Sequence, residues 1–196
     1  MTNHPLIILA SVSPRRAELL RQAGLMFAVV PAHTPETHPE YLTPHEVAQI
    51  NAYRKCRAVA KKHPDALVLG ADTIVCIGGE ILGKPASLAA AEQMLRKLQG
   101  RTHEVVTGVC LLHLRSHRQR LFAASTNVTF RELDVVQIRS YLTRINPLDK
   151  AGAYAIQEHG DRIVENISGS YSNVVGLPVE RVLEELAGWD PASYVV

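Results

Sequence analysis

The sequence predicts an α/β fold, and three observations carry that expectation. Apolar runs of strand character, at Leu6–Leu9 and Ala66–Ile77, alternate with segments of helical periodicity. Those segments open on capping signals, at Ser13-Pro14, Thr43-Pro44-His45-Glu46 and Ser87. Glu104–Leu114 and Gln119–Phe130 are rich in strand formers and flank a basic turn, Arg115–Arg118, as a long hairpin does.

Taken in order, the chain leaves the first strand, turns tightly and enters a helix whose apolar face is Leu19, Leu20 and Ala23 and which Gly24 ends. Met26–Val30 reads as a second strand. Pro31–Pro44 is a polar, proline-rich loop long enough to be functional. The helix that follows runs to Val59 and carries a basic face, of which Lys55 is the residue expected to turn inward. Ala66–Ile77 is apolar nearly throughout, as in a strand covered on both faces, and Asp72 interrupts it. Gly78-Gly79 turns the chain into a short return strand, Glu80–Leu82, and Gly83-Lys84-Pro85 is a rigid turn that presents a lysine. A helix spans Leu88–Leu98, and another is expected over Leu133–Thr143. Asp149–Gln157 is a loop entering a helix or strand, Arg162–Ile167 a strand, Gly169-Ser170-Tyr171 a tight turn, and Val179–Leu186 the terminal helix.

Composition narrows the function. With 196 residues the chain can build one sizeable core or a domain of two lobes. A hydrophobic content of 46% with 20% charged residues is that of a soluble globular protein. A net charge of +2 is too small for duplex DNA to be the main partner. No signal peptide or membrane span is expected, because the apolar runs are too short. Cys56, Cys76 and Cys110 are widely spaced, which fits buried thiols in a reducing cytoplasm.

The polar interruptions form a set. Ser11, Ser13, Arg15 and Arg16 surround a helix N-terminus, where free N–H groups and the helix dipole favour an anion and guanidinium forks match phosphate oxygens. Basic residues in a first turn oppose the dipole, so they imply a negative neighbour; plain solvation is the alternative reading. Lys55, Lys84 and Lys150 add positive charge, and Glu36, Asp72 and Asp149 supply carboxylates. Carboxylates would repel a polyphosphate unless a divalent cation joins them, and hard cations take one or two carboxylates plus substrate phosphates. That combination suits metal-assisted attack of water on a phosphoryl group. The plainer readings are a structural Asp149–Lys150 ion pair, packing roles for Tyr154 and Tyr171, a core Cys76, and solvated histidines at 33, 38, 45 and 63.

The sequence resembles the Maf family of nucleoside triphosphate pyrophosphatases. The matching pieces are Leu9-Ala-Ser11-x-Ser13-Pro14-Arg15-Arg16-x-Glu18-Leu-Leu20, Gly70-Ala-Asp72-Thr73-Ile-Val75, Leu82-Gly83-Lys84-Pro85, Met94-Leu95-x-x-Leu98-x-Gly100-x-Thr102-His103, Asp149-Lys150-Ala-Gly152-Ala-Tyr154-x-Ile-Gln157 and Gly169-x-Tyr171-x-x-Val-x-Gly176-Leu-Pro178. The resemblance implies a single Maf-like domain over 1–196, with an inosine triphosphate pyrophosphatase-like architecture: a mixed, twisted sheet flanked by helices, in two lobes with a central cleft. It implies hydrolysis of a nucleoside triphosphate to the monophosphate and pyrophosphate with Mg²⁺ or Mn²⁺. Carried over residue by residue, Asp72 is the proton acceptor, and Ser11, Arg15, Arg16, Lys55 and Lys84 hold phosphates. Glu36 shares the metal with Asp72, although His33-Thr34-Pro35 departs from the family pattern there. The Asp149–Gln157 segment looks like the dTTP and UTP branch, with Arg15, Thr73 and Gln157 at its specificity positions. A glutamine amide offers the donor and acceptor that a uracil or thymine edge needs. The expected partner is the nucleotide, optionally with a second copy in a homodimer; neither a membrane nor stably bound nucleic acid is expected, and the setting is cytoplasmic. Two rivals stay open: a house-cleaning pyrophosphatase for modified nucleotides, and a non-enzymatic nucleic-acid-binding regulator of cell division whose Ser-x-Ser-Pro-Arg-Arg enters a minor groove.

Overall fold

The structure, a computed structural model, describes residues 7–189; the expected strand start at Leu6 and the chain ends lie outside that range. Strands and helices alternate along the first part of the chain: β1 (Ile7–Leu9), α1 (Pro14–Gln22), β2 (Phe27–Val29), α2 (Pro44–Ala60), β3 (Leu67–Ile77), β4 (Glu80–Leu82) and α3 (Leu88–Leu98). Two long strands follow, β5 (Thr102–His113) and β6 (Arg118–Phe130), then α4 (Val135–Leu142), β7 (Val164–Ser168), α5 (Tyr171–Val175) and α6 (Val179–Ala187).

The seven strands form one mixed sheet in the order β2-β1-β3-β5-β6-β7, with β4 paired to β3 off that path. β1 pairs in parallel with β2 and with β3, whereas β3–β4 and β6–β7 are antiparallel. A parallel central strand has to be covered on both faces, which is why β3 is apolar at almost every position.

The chain divides into two compact units. One gathers the chain up to Asp72 with Thr107–Ala124 and the chain from Gly176; the other holds Thr73–Val106 and Ser125–Val175. In the first unit the alternation of β1 and β3 feeds two cores. Ile7, Leu9, Leu67 and Leu69 pack with Leu20 of α1 and Val182 and Leu186 of α6, while Ile8 and Val68 pack with Ala52, Cys56 and Val59 of α2. The second unit buries Val75, Leu95, Leu98, Phe130, Tyr141 and Tyr154 together.

Helix α2 begins as its sequence predicts. Thr43 caps it, accepting from the Glu46 N–H while the Glu46 carboxylate accepts from the Thr43 N–H at 2.8 Å. What sets α2 against the sheet is the absence of two side chains. A Cβ on Gly70 of β3 would lie 2.6 Å from the Ala52 carbonyl oxygen, and one on Gly108 of β5 would lie 2.3 Å from the Ala48 carbonyl. The helix backbone therefore rests directly on the strands at Ala48 and Ala52.

Three expectations are corrected. Ser13 occupies the N-cap of α1 without a side-chain cap; the Ser11 Oγ accepts the Ser13 N–H instead, at 3.1 Å. Tyr171 is the first residue of the short helix α5 rather than the end of a turn, and it is exposed. Asp149–Gln157 contains neither strand nor α-helix: a 3-10 turn, Pro147–Asp149, ends at its first residue and a second, Ala151–Ala153, lies within it, with Gly152 and Ala153 at φ of 68° and 62°. Two aromatic contacts fix that segment. Tyr141 Oη donates to the Ala155 carbonyl and accepts its N–H, both at 3.1 Å, and Tyr154 Oη lies 2.8 Å from His103 Nε2. Burial holds His103 down at about 4, so it is neutral at pH 7 within its ring cluster with Phe130 and Tyr154. Among the described residues no helix is long and apolar enough to cross a membrane.

Candidate active site

Asp72 sits on β3 two residues beyond Gly70, on the same face, so its carboxylate rises where α2 touches the strand. Along α2, Val47, Asn51, Lys55 and Val59 recur at four-residue spacing and share one stripe. The middle two members are polar, and both reach Asp72. Lys55 Nζ donates to Asp72 Oδ1 at 2.6 Å, and Asn51 Nδ2 donates to Asp72 Oδ2 at 3.0 Å. Lys55 Nζ also donates to Glu36 Oε1 at 2.8 Å, so one ammonium bridges two carboxylates. Asp72 is 3% exposed; a carboxylate that deep requires such partners.

The Ser11–Arg16 turn belongs to the same unit. Arg16 is buried, donates through Nε to the Gly176 carbonyl at 2.8 Å and through Nη1 to Ser11 Oγ at 3.3 Å. Burial lowers its proton affinity below the ordinary guanidinium range; Asp72 opposes that shift, Arg15 adds to it and Glu36 opposes it. An arginine remains charged even so. Asp72 and Glu36 are thus the negative neighbours of Arg16.

Ser11, Arg16, Glu36, Lys55 and Asp72 are brought together by bonds or by charge, with Arg15 beside them. The other predicted residues belong to the second unit. Thr73 is half-buried on β3, Lys84 is exposed in the turn after β4, and Gln157 is exposed at the end of the segment clamped by Tyr141 and Tyr154. That segment is tied to the lysine turn by the Gly152 N–H, which donates to the Gly83 carbonyl at 3.1 Å. Lys150 is buried in ion pairs with Asp149 at 2.8 Å and Glu158 at 3.4 Å, which makes it structural.

Sequence reasoning missed Asn51 and Gly176. Asn51 had a signal: it is a polar residue one turn before Lys55 on a helical stripe that begins and ends on valine. Gly176 stood in the matching Gly169–Pro178 segment, but the partner of its carbonyl, Arg16, lies 160 residues away.

Three proteins named dTTP/UTP pyrophosphatase are similar to the chain over nearly its whole length. The one from Pelotomaculum thermopropionicum is 46% identical over 92% of this chain and 94% of its own. That from Koribacter versatilis is 49% identical over 90% of each chain, and that from Bacillus cereus 46% identical over 94% of this chain and 95% of its own. Among solved structures, the Staphylococcus aureus Ham1 protein shares the fold, with a TM-score of 0.50 at 18% identity over 93% of this chain and 98% of that one. The mixed sheet flanked by helices is therefore the Ham1-type architecture that the sequence led us to expect. A family model described as Maf-like protein matches residues 6–189, and with these relatives it shows that the chain belongs to the Maf family.

Proposed function

We propose that this chain hydrolyses dTTP and UTP to their monophosphates and pyrophosphate by attack of water on the α-phosphorus, with the whole chain acting as one catalytic domain in the cytoplasm. Nucleoside triphosphate pyrophosphatase is the enzyme class of its named relatives. The base preference, the cation and the residue roles are our reading, and the observation that carries it is the Lys55 ammonium held between the Glu36 and Asp72 carboxylates.

Two carboxylates already sharing a cation are hard oxygen donors suited to Mg²⁺ or Mn²⁺. No group of three or more His, Cys, Asp or Glu ligands occurs among the described residues, so substrate phosphates and water would complete the shell. Glu36 and Asp72 would hold the ion, which supplies charge neutralisation and polarisation at the phosphoryl group. Ser11, Arg15, Arg16 and Lys55 bind phosphate oxygens, and Lys84 joins them on the strength of its motif. The water oxygen forms the new bond to the α-phosphorus, Asp72 takes its proton, and the bond to the bridging oxygen breaks to release pyrophosphate. Asp72 can accept that proton because its bonds to Lys55 and Asn51 use only two of about four acceptor positions on a carboxylate. The cationic side chains stabilise charge developing on the leaving group. Arg15, Thr73 and Gln157 read the base, an assignment supported by the match to the dTTP and UTP branch.

A panel of standard and modified nucleoside triphosphates with Mg²⁺ or Mn²⁺, scored for released pyrophosphate, tests the reading. UTP and dTTP are expected to lead, and Gln157→Ala to erode the preference for UTP over CTP by about tenfold, the loss of one base-edge interaction of roughly 1–2 kcal/mol. Faster turnover of a modified nucleotide would make the chain a house-cleaning enzyme, and an unchanged UTP/CTP ratio would remove Gln157 from base recognition.

A further inference from the structure

We infer that Asn51 is a positioning residue that couples the Glu36 loop to Asp72 and so holds the two carboxylates at bridging distance; the inference rests on the reading of those carboxylates as the cation site. Glu36 is exposed on a loop with no strand or helix of its own. Its neighbour Thr37 is gripped on both sides of its backbone: the Thr37 N–H donates to Asn51 Oδ1 at 3.0 Å, and Asn51 Nδ2 donates to the Thr37 carbonyl at 3.1 Å. The same Nδ2 donates to Asp72 Oδ2 at 3.0 Å. A single amide, 1% exposed, thus spans from the loop to the strand and uses both of its donor hydrogens and its oxygen to do so.

Arg54 adds a second hold on the loop, donating to Thr37 Oγ1 at 3.0 Å. Among the described residues, Asn51 is the side chain seen to bond to both Asp72 and Thr37. Its donor leaves Asp72 Oδ1 facing Lys55 and fixes the carboxylate rotamer, as an outer-shell partner does for a metal ligand. No other side chain of its size serves. Leucine has no polar atom, and aspartate would set a carboxylate against the Thr37 carbonyl and Asp72.

Amide hydrogen exchange on the intact chain and steady-state kinetics of Asn51→Leu form the test. In the wild type the Thr37 amide is expected to exchange at least tenfold more slowly than its loop neighbours His38 and Glu40. In Asn51→Leu that protection should vanish, kcat should fall about 10–100-fold, the usual loss for an outer-shell partner, and the Mg²⁺ concentration for half-maximal rate should rise. KM for UTP should stay within threefold, because the phosphate-binding side chains are untouched. A Thr37 amide that exchanges at the free-loop rate in the wild type overturns the proposal, whether or not the variant folds. So does a folded Asn51→Leu with kcat and Mg²⁺ dependence within threefold of the wild type. A wild type inactive on every nucleotide would instead defeat the pyrophosphatase reading, while the exchange measurement would still decide the tether.

Discussion

Replacing Asp72 by asparagine is expected to lower kcat for UTP by about 10²–10⁴-fold, the range associated with loss of a positioned proton acceptor, while the nucleotide still binds. The substitution keeps the shape of the side chain and removes its charge, but its consequences follow from both of its neighbours. Asp72 Oδ1 faces the Lys55 ammonium and Oδ2 faces the Asn51 amide, and both neighbours are donors. An asparagine must therefore set its own NH₂ against one donor or the other. Asn51 has no easy escape by flipping, since its oxygen holds the Thr37 N–H. Lys55 keeps Glu36 but loses its more buried counter-charge. A loss of native stability of roughly 1–3 kcal/mol should accompany the loss of turnover, as for a buried hydrogen bond left unmade. Nucleotide affinity measured by calorimetry and kcat measured by pyrophosphate release separate the two effects. A variant with wild-type kcat would remove Asp72 from the chemistry.

Gly70→Ala is expected to act through packing alone and still to damage the site. The added Cβ would lie 2.6 Å from the Ala52 carbonyl oxygen and 2.8 Å from both the Cys56 nitrogen and Cβ. Two of those three atoms are helix backbone, so no rotamer change relieves the overlap and α2 must lift from β3. Overpacking of this kind costs typically about 1–3 kcal/mol. Asn51 and Lys55 flank Ala52 on the same helix, so the lift draws both away from Asp72. A displacement on the order of 1 Å can cost about 10²-fold in rate, so kcat should fall by that order. Gly83→Ala is the control, because a Cβ there meets nothing within 4 Å; its melting temperature should match the wild type. A Gly70→Ala protein with unchanged stability would show that α2 does not rest on the strand as described.

Much of this arrangement was legible because it obeys local rules. The strand–turn–helix at the start, the Thr43-Pro44-His45-Glu46 cap and the apolar run broken by Asp72 each carry their signal within a few residues. What was not legible depends on contacts between distant segments. At the start of α1 it is the Ser11 hydroxyl that accepts, from the Ser13 N–H and from Arg16 five residues on, and Ser13 makes no side-chain cap. Gly70 and Gly108 read as ordinary strand residues until α2 is laid across both. Asp149–Gln157 gives no periodic signal, since its course is imposed by the Tyr141 and His103 contacts and by Ala153 at a φ that alanine seldom adopts. Charged interruptions of apolar patterns stood out in the sequence, whereas the neutral amide of Asn51, bonded to both Thr37 and Asp72, stood out far less.

The most direct measurement is hydrolysis of UTP in ¹⁸O-water, with the products resolved by mass spectrometry. Attack on the α-phosphorus by water relieved of its proton at Asp72 places the label in UMP and leaves pyrophosphate unlabelled. Label in pyrophosphate, or release of orthophosphate in its place, would mean that the carboxylate pair and its cationic neighbours direct water to a different phosphorus.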